Sequence, residues 1–223
     1  MHSFRTAMQR VVRMTGRSYD ISSEIPVVDL FGESLVRLTQ LLRGTLLHRK
    51  IAFFGPGVRI RGRRFLVLAR GVSIGDGTLV DARGIEGIHI GKGSRLGRRG
   101  IVMTTSHLSR YGIGLSVGEN SGIGDNFHIG ASGGVSIGRD VIIGPFLTVH
   151  SQEHIFEDPS VPIREQGTRQ ARVTIADNCW IGSRVTLLAG TEIGPRTVIA
   201  SGAVVRGKHP GNEILGGVPA RRL

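Results

Sequence analysis

The sequence is short of the residues on which many protein classes depend. One cysteine among 223 residues allows neither an internal disulfide nor a cysteine-built zinc site, which points to a reducing compartment or one indifferent to redox. Eight prolines, with no glycine at every third position, exclude a collagen. Hydrophobic runs are broken by Arg, Gly or Thr well short of the ~18 residues of a membrane span. No apolar stretch follows the arginines at 5, 10, 13 and 17, so no secretory signal is expected. These absences leave the expectation of a soluble or peripheral cytoplasmic protein.

Glycine is abundant instead: 34 residues, roughly twice its usual ~7% share. Ile, Leu and Val run throughout, so disorder is not expected. The net charge is +12, and residues 1–64 hold 12 Lys and Arg against 4 Asp and Glu. A basic first third suits an anionic partner: a membrane surface, a phosphorylated substrate or nucleic acid. A solvated basic face explains it equally.

A six-residue period organises the rest. Ile175, Ile181, Leu187, Ile193, Ile199 and Val205 are all aliphatic, and the residue four places after each of the first five is Cys179, Val185, Thr191, Thr197 or Ala203, always small or β-branched. The phase recurs at Ile137/Ile143/Val149, Val117/Ile123/Ile129, Ile90/Leu96/Val102 and Leu68/Ile74/Val80. Six matches neither a helix nor an alternating strand. It predicts a solenoid of short parallel strands, each with one large aliphatic inside and glycine suited to the corners. Three hexads close a triangular coil, and coils stack at about 4.8 Å. Residues 58–205 then hold about seven coils, with 1–57 as a basic helical segment and 206–223 as a tail. Cys179, at the small inward position, belongs to the core. A β-sandwich would instead show alternation and turn signals every 8–12 residues.

Residues 29–48 predict one amphipathic helix with Phe31, Leu35, Leu38, Leu42 and Leu46 on one face and Asp29 as N-cap. Two roles suit it: covering the open edge of the first coil, or lying on an anionic membrane.

The largest break in the hexads is the polar stretch 150–172, which protrudes as a loop and carries His150 and His154. A histidine there can be a general base, a metal ligand or a plain surface residue.

The segments IGRDVIIGPFLTVHSQEH, PIREQG and NCWIGSRVTLLAGTEIGPRTVIASGAVV, ending in GGVPARRL, resemble the hexapeptide-repeat acetyltransferases, and among them the O-acetyltransferases of galactosides, maltose and bacterial surface polysaccharides. The resemblance covers roughly residues 58–223. It implies a left-handed parallel β-helix, assembled as a homotrimer and using acetyl-CoA, with no metal. It further implies that His154 takes the proton from a saccharide hydroxyl, which attacks the thioester directly, while the backbone N–H of Ser183 holds the oxyanion. Asn126, with Asn120 as the rival, falls nearest the family's asparagine at the acceptor hydroxyl. CoA contacts fall on Ser183, Ser201, Arg206 and Arg221. This chain has Arg206-Gly207 where the family often has Thr-Lys, so the phosphate contact moves to Arg206 or Lys208. Trp180 reads as a ring packed at the groove between subunits.

The acceptor implied is a saccharide or a lipid-linked saccharide precursor, with peripheral contact to the inner face of an anionic membrane and no nucleic-acid partner. An antibiotic or other small alcohol as acceptor is the alternative within the class. Outside it stand a γ-carbonic-anhydrase-like zinc protein, with His150, His154 and His107 or His128 as ligands, and a non-catalytic trimer.

Overall fold

The computed structural model describes residues 20–105 and 110–223, together with Thr6 and Gln9. The arginines at 5, 10, 13 and 17, and His107, lie outside the described residues.

The hexads fold as the spacing predicts. Short strands alternate in turn among three parallel sheets, which form the faces of a triangular coil. Face one has nine strands, from Phe53–Phe54 to Ala220–Arg222; face two runs from Arg59–Arg61 to Val204–Val205, and face three from Leu66–Leu68 to Lys208–His209, with seven each. Along the coils each strand pairs in parallel with the equivalent strand one coil on, as Ile143 with Ile181 and Ile181 with Ile199, until Ala220–Arg222 turns back antiparallel on Ile214–Gly217. This is the left-handed parallel β-helix. Pairing begins at Phe53, inside the segment assigned to the N-terminal part, and face one continues to Arg222, inside the tail.

The core is the inside of the coil. All six aliphatics from Ile175 to Val205, and Cys179, Val185, Thr191, Thr197 and Ala203, are buried. Burial raises the Cys179 thiol pKa, and its Sγ points to the Gly194 carbonyl at 3.3 Å. Thr191 and Thr197 satisfy their buried hydroxyls on the carbonyls of Leu188 and Gly194, which is why a polar residue survives at that position.

The corners are less reserved for glycine than expected. In the column between faces one and two, left-handed backbone occurs at Gly57, Gly77 and Gly202, but also at Arg99, Asn126, Phe146 and Arg184, with φ between 52° and 62° for these four. Such backbone costs a side-chain-bearing residue energy, and here the side chains stack outward from coil to coil: Arg99 donates to Asn126 Oδ1 at 3.0 Å, and Arg184 lies over the Phe146 ring at 4.8 Å.

Helix α1 spans Val27–His48 and lies against Phe53–Phe54 of the first coil. Two expectations are corrected. The helix starts two residues early, with Pro26 at the N-cap and no side-chain cap; Asp29 sits in the first turn, where its carboxylate complements the helix dipole. Its leucine stripe also does not cover the coil. The inward positions are Leu30, Ser34, Arg37, Leu41, Gly44 and His48, whereas Leu35, Leu38, Leu42 and Leu46 are exposed. Gly44 decides this: a Cβ there would come within 2.1 Å of the Ala52 carbonyl oxygen and 2.8 Å of Phe54. The helix approaches the chain through its narrow side, His48 stacks on Phe54 at 4.5 Å, and Arg43 and Lys50 donate to the carbonyls of Phe54 and Leu66 at 2.7 Å each.

Candidate active site

The site is built on face two. Three successive rungs present Met103, Gly130 and His150 in register on its outer surface. Gly130, without a side chain, leaves a hollow between the other two. At this point the chain leaves the coil. Gln152–His154 pair antiparallel with Thr168–Gln170, making a two-stranded arm with His154 opposite Thr168. Ser151, fully buried at the base, ties the arm down: its Oγ donates to the Gly130 carbonyl at 2.7 Å and accepts from the Gly133 N–H at 2.8 Å.

The tip of the arm explains the PIREQG segment. Pro162 opens a short 3-10 turn over Ile163–Glu165. Gln166 then cross-links the tip, its Nε2 donating to the carbonyls of Asp158 and Val161 at 2.7 Å and its Oε1 accepting from the Asp158 N–H. Gly167 turns back with φ 87°, a conformation glycine adopts at little cost. Arg169 pairs with Glu157 at 3.1 Å, and Arg110 reaches the Thr168 carbonyl at 3.0 Å. A histidine on this arm is therefore held by a loop with its own internal bonding.

Arm and face together enclose a cavity of about 160 Å³ lined by Met103, His128, Gly130, Ser132, His150, Gln152, Glu153 and His154. Glu153 also accepts from the Ala189 N–H at 3.3 Å. His128 and His150 stand with ring centroids 6.1 Å apart. Burial, and then the neighbouring His150, hold the His128 imidazole below the usual histidine range, so its neutral form is favoured. Three imidazoles border the hollow, one of them on the arm.

Of the described residues singled out in the sequence, His154 and the two histidines His128 and His150 meet in this cavity. Asn126 does not line it; it occupies the corner column with its side-chain oxygen engaged by Arg99. Asn120 sits in the neighbouring corner column, also with left-handed backbone. Ser183 and Ser201 lie one coil apart at the corner between faces one and two, joined by the Ser183 N–H donating to Ser201 Oγ at 3.1 Å. Arg206 and Lys208 follow on the last coil. Lys208 is paired with Glu192 at 2.9 Å, whereas the Arg206 guanidinium meets no carboxylate among the described residues. Arg221 is on the final antiparallel strand, its guanidinium donating to the Ala220 carbonyl. Trp180 is exposed on face one, in an outward ladder with Ile142 and Val198, to which Ile214 is joined in register. Among the described residues no group of three or more His, Cys, Asp or Glu is placed to hold a metal ion.

Sequence reasoning missed Met103, Gly130, Ser132 and Gln152 as lining residues. The register that joins Met103, Gly130 and His150 was readable from the hexads, but what lies above it depends on the arm folding back.

Two family profiles match the chain: one described as bacterial transferase hexapeptide (six repeats) over residues 172–207, the other as hexapeptide repeat of succinyl-transferase over residues 71–98. Similar curated proteins include a putative lipopolysaccharide biosynthesis O-acetyl transferase of Escherichia coli, 33% identical over 51% of this chain and 62% of that one. The galactoside O-acetyltransferase of the same organism is 33% identical over 50% and 54%. A probable acetyltransferase of Mycobacterium tuberculosis is 29% identical over 84% and 56%. The chain thus spans a little over half the length of these relatives. Among solved structures, a variant of the N-acyltransferase AntD from Bacillus cereus, in complex with dTDP-4-amino-4,6-dideoxyglucose and coenzyme A, superposes with a TM-score of 0.51 at 15% identity, over 77% of this chain and 81% of that one. It supports the fold.

Proposed function

We propose that this hexapeptide-repeat chain, similar to the saccharide O-acetyltransferases, transfers an acetyl group from acetyl-CoA to a hydroxyl of a saccharide or of a lipid-linked saccharide precursor. The observation that carries the reading is the cavity itself: a histidine held on a cross-linked arm over a hollow floored by Gly130 and flanked by two further imidazoles.

In this reading the acceptor sits over Gly130 between Met103 and His150. The His154 imidazole takes the hydroxyl proton as the oxygen attacks the thioester carbonyl. The tetrahedral oxyanion is held by the Ser183 N–H, for which the Ser201 hydroxyl must swing aside, since it occupies that donor in the free chain. Collapse releases the CoA thiolate, which takes the proton back from the imidazolium, leaving the acetyl ester. A base within reach contributes about 10²–10⁴ in rate, because an alcohol is a poor nucleophile at neutral pH; fixed donors at the oxyanion contribute a comparable share.

The residues near the C-terminal coils fit an anionic cosubstrate. Arg184, Arg196, Arg206, Lys208, Arg221 and Arg222 face Glu192 and Glu213 as the only carboxylates from residue 184 onward. With Lys208 engaged by Glu192, Arg206 takes the phosphate in this reading. The Ser183–Ser201 corner does not open into the cavity of its own chain, so a complete site joins the corner of one copy to the cavity of another. The outward ladder of Ile142, Trp180, Val198 and Ile214 supplies an apolar face for such a homotrimer. Placement in the cytoplasm, with peripheral contact to an anionic membrane where a lipid-linked acceptor is found, belongs to the same reading. No helix among the described residues is long and apolar enough to cross a membrane.

His154→Ala tests the assignment. The expected result is a kcat lower by about 10²–10⁴ with CoA affinity, read by calorimetry, unchanged. A fully active variant overturns the role given to His154.

A further inference from the structure

We infer that the outward flank of α1, formed by Val28, Leu35, Leu38, Leu42 and Leu46, docks the protein on an anionic lipid surface. The inference deepens the proposed function by naming the surface that meets the membrane, and it rests on that reading only for where the acceptor is found.

An amphipathic helix on a globular domain ordinarily turns its apolar stripe to the core. Here Leu30 and Leu41 share the inward side with Ser34, Gly44 and His48, while the longer aliphatic stripe faces away, with Leu42 48%, Leu38 51%, Leu35 53%, Val28 73% and Leu46 75% exposed. Ile51, in the loop that follows, is 79% exposed. The seat is fixed by three different contacts: the Gly44 approach, the His48–Phe54 stack and the Arg43 and Lys50 bonds to coil carbonyls. Contiguous exposed apolar side chains of this kind mark an interaction surface.

Charge selects the occupant. Arg49, Arg59, Arg61, Arg63 and Arg64 are exposed around the same end of the solenoid, and none makes an ion pair among the described residues. A second copy set against this flank would bring like charge to like. A bilayer bearing anionic headgroups satisfies both features, because apolar insertion and basic attraction are the two signals that together give stable peripheral binding. The bilayer lies on the helix rather than around it, as α1 is not apolar enough to span.

The test is sedimentation of the full chain with vesicles of phosphatidylglycerol and phosphatidylethanolamine, against vesicles of phosphatidylcholine. Binding to the anionic vesicles alone is expected, weakening by more than tenfold at about 1 M salt, where the Debye length is about 3 Å. The double substitution Leu38→Glu with Leu42→Glu is expected to lose at least tenfold in vesicle affinity while keeping its melting temperature and its mass by sedimentation equilibrium. Wild-type protein left in the supernatant, or a double variant that binds vesicles as well as wild type, overturns the inference. A double variant that changes subunit number overturns it in favour of a second copy as occupant. Since no arm of the experiment uses acetyl-CoA, a protein that binds vesicles but transfers nothing would fail the proposed function and leave this inference standing.

Discussion

The solenoid and helix α1 are both written as periodic apolar patterns, yet one pattern points in and the other out. In the coils the geometry leaves no choice. A closed triangular turn has one inside, and the aliphatic that recurs every six residues reaches it together with the small residue at each corner. A lone helix laid across the end of that coil has a whole circumference to offer. The side that docks is the one allowing the closest approach, and Gly44 against the Ala52 carbonyl oxygen gives that approach where a leucine could not. Periodicity finds a face; it does not say what the face meets.

The sharpest way to break this contrast is to place a charge on each pattern. Ile193 is 2% exposed at the centre of its rung, and Ile193→Asp should prevent folding, since an unpaired buried carboxylate costs several kcal/mol against a typical stability of about 5–15 kcal/mol. Leu38→Asp on the helix should shift stability by no more than about 0.5 kcal/mol, as expected of a surface change. Thermal melts of both variants check the pair. A soluble, normally melting Ile193→Asp protein contradicts the hexad register, and a collapsed Leu38→Asp protein contradicts the outward stripe. Glu192→Ala, beside Ile193, is a control: its pairing with Lys208 is exposed and such pairs contribute about 0–1 kcal/mol.

Next in size is the helix seat. Gly44→Ala forces a Cβ into the Ala52 carbonyl, an overpacking expected to cost about 1–3 kcal/mol and to loosen α1 first. Hydrogen exchange should show α1 amides losing protection while the coil amides keep theirs. Equal loss in both would mean that helix and coil unfold as one unit.

The seat also carries a pH dependence. His48 is buried against Phe54, and burial, then Arg63 and Arg43, lower its pKa. The folded state therefore resists the proton that the unfolded chain accepts at about 6.5. The stabilisation is complete above that value and is lost as pH falls through the lower folded value. His48→Gln, which cannot titrate, should show a shallower decline in melting temperature between neutral and acid pH. An unchanged slope would assign the acid sensitivity elsewhere, with His128 the first candidate because its pKa is lowered in the same direction.

How much of this was legible differs along the chain for physical reasons. The hexads gave strands, faces and core from Leu68 to Val205, because each repeat states its register six residues at a time. Helix α1 was legible as a helix but its orientation was not, since orientation was decided by a contact with Ala52 and Phe54 rather than by its own sequence. At the site, His154 was singled out by its place in the long insert together with the resemblance. Gly130 was invisible, being one of 34 glycines, and it became a floor only when the arm at 151–172 folded back above it. Asn126 looked like a polar site residue, and the left-handed corner it occupies is a second reason for an asparagine that a linear reading does not separate from the first.

The smallest expected effect on stability is the most informative about the site. Gly130 and Gly44 are both glycines facing a neighbour, but they differ in what a side chain would meet. At Gly44 the Ala52 carbonyl oxygen would stand 2.1 Å from a Cβ, too close to admit one. At Gly130 a Cβ would stand 3.3 Å from the Val149 carbonyl oxygen and 3.9 Å from His128 Cε1, and the backbone there is ordinary strand. Gly130→Ala should therefore fold with a change of about 0.5 kcal/mol, since the Val149 carbonyl oxygen has to give by only a few tenths of an ångström. Its methyl group, however, projects into the hollow between Met103 and His150. If the acceptor sits there, KM for the acceptor should rise while KM for acetyl-CoA stays as it was, and Gly130→Val should raise the first further. A Gly130→Val enzyme with unaltered acceptor kinetics and a normal melt would place the acceptor outside this hollow, and leave His154 facing some other part of the groove.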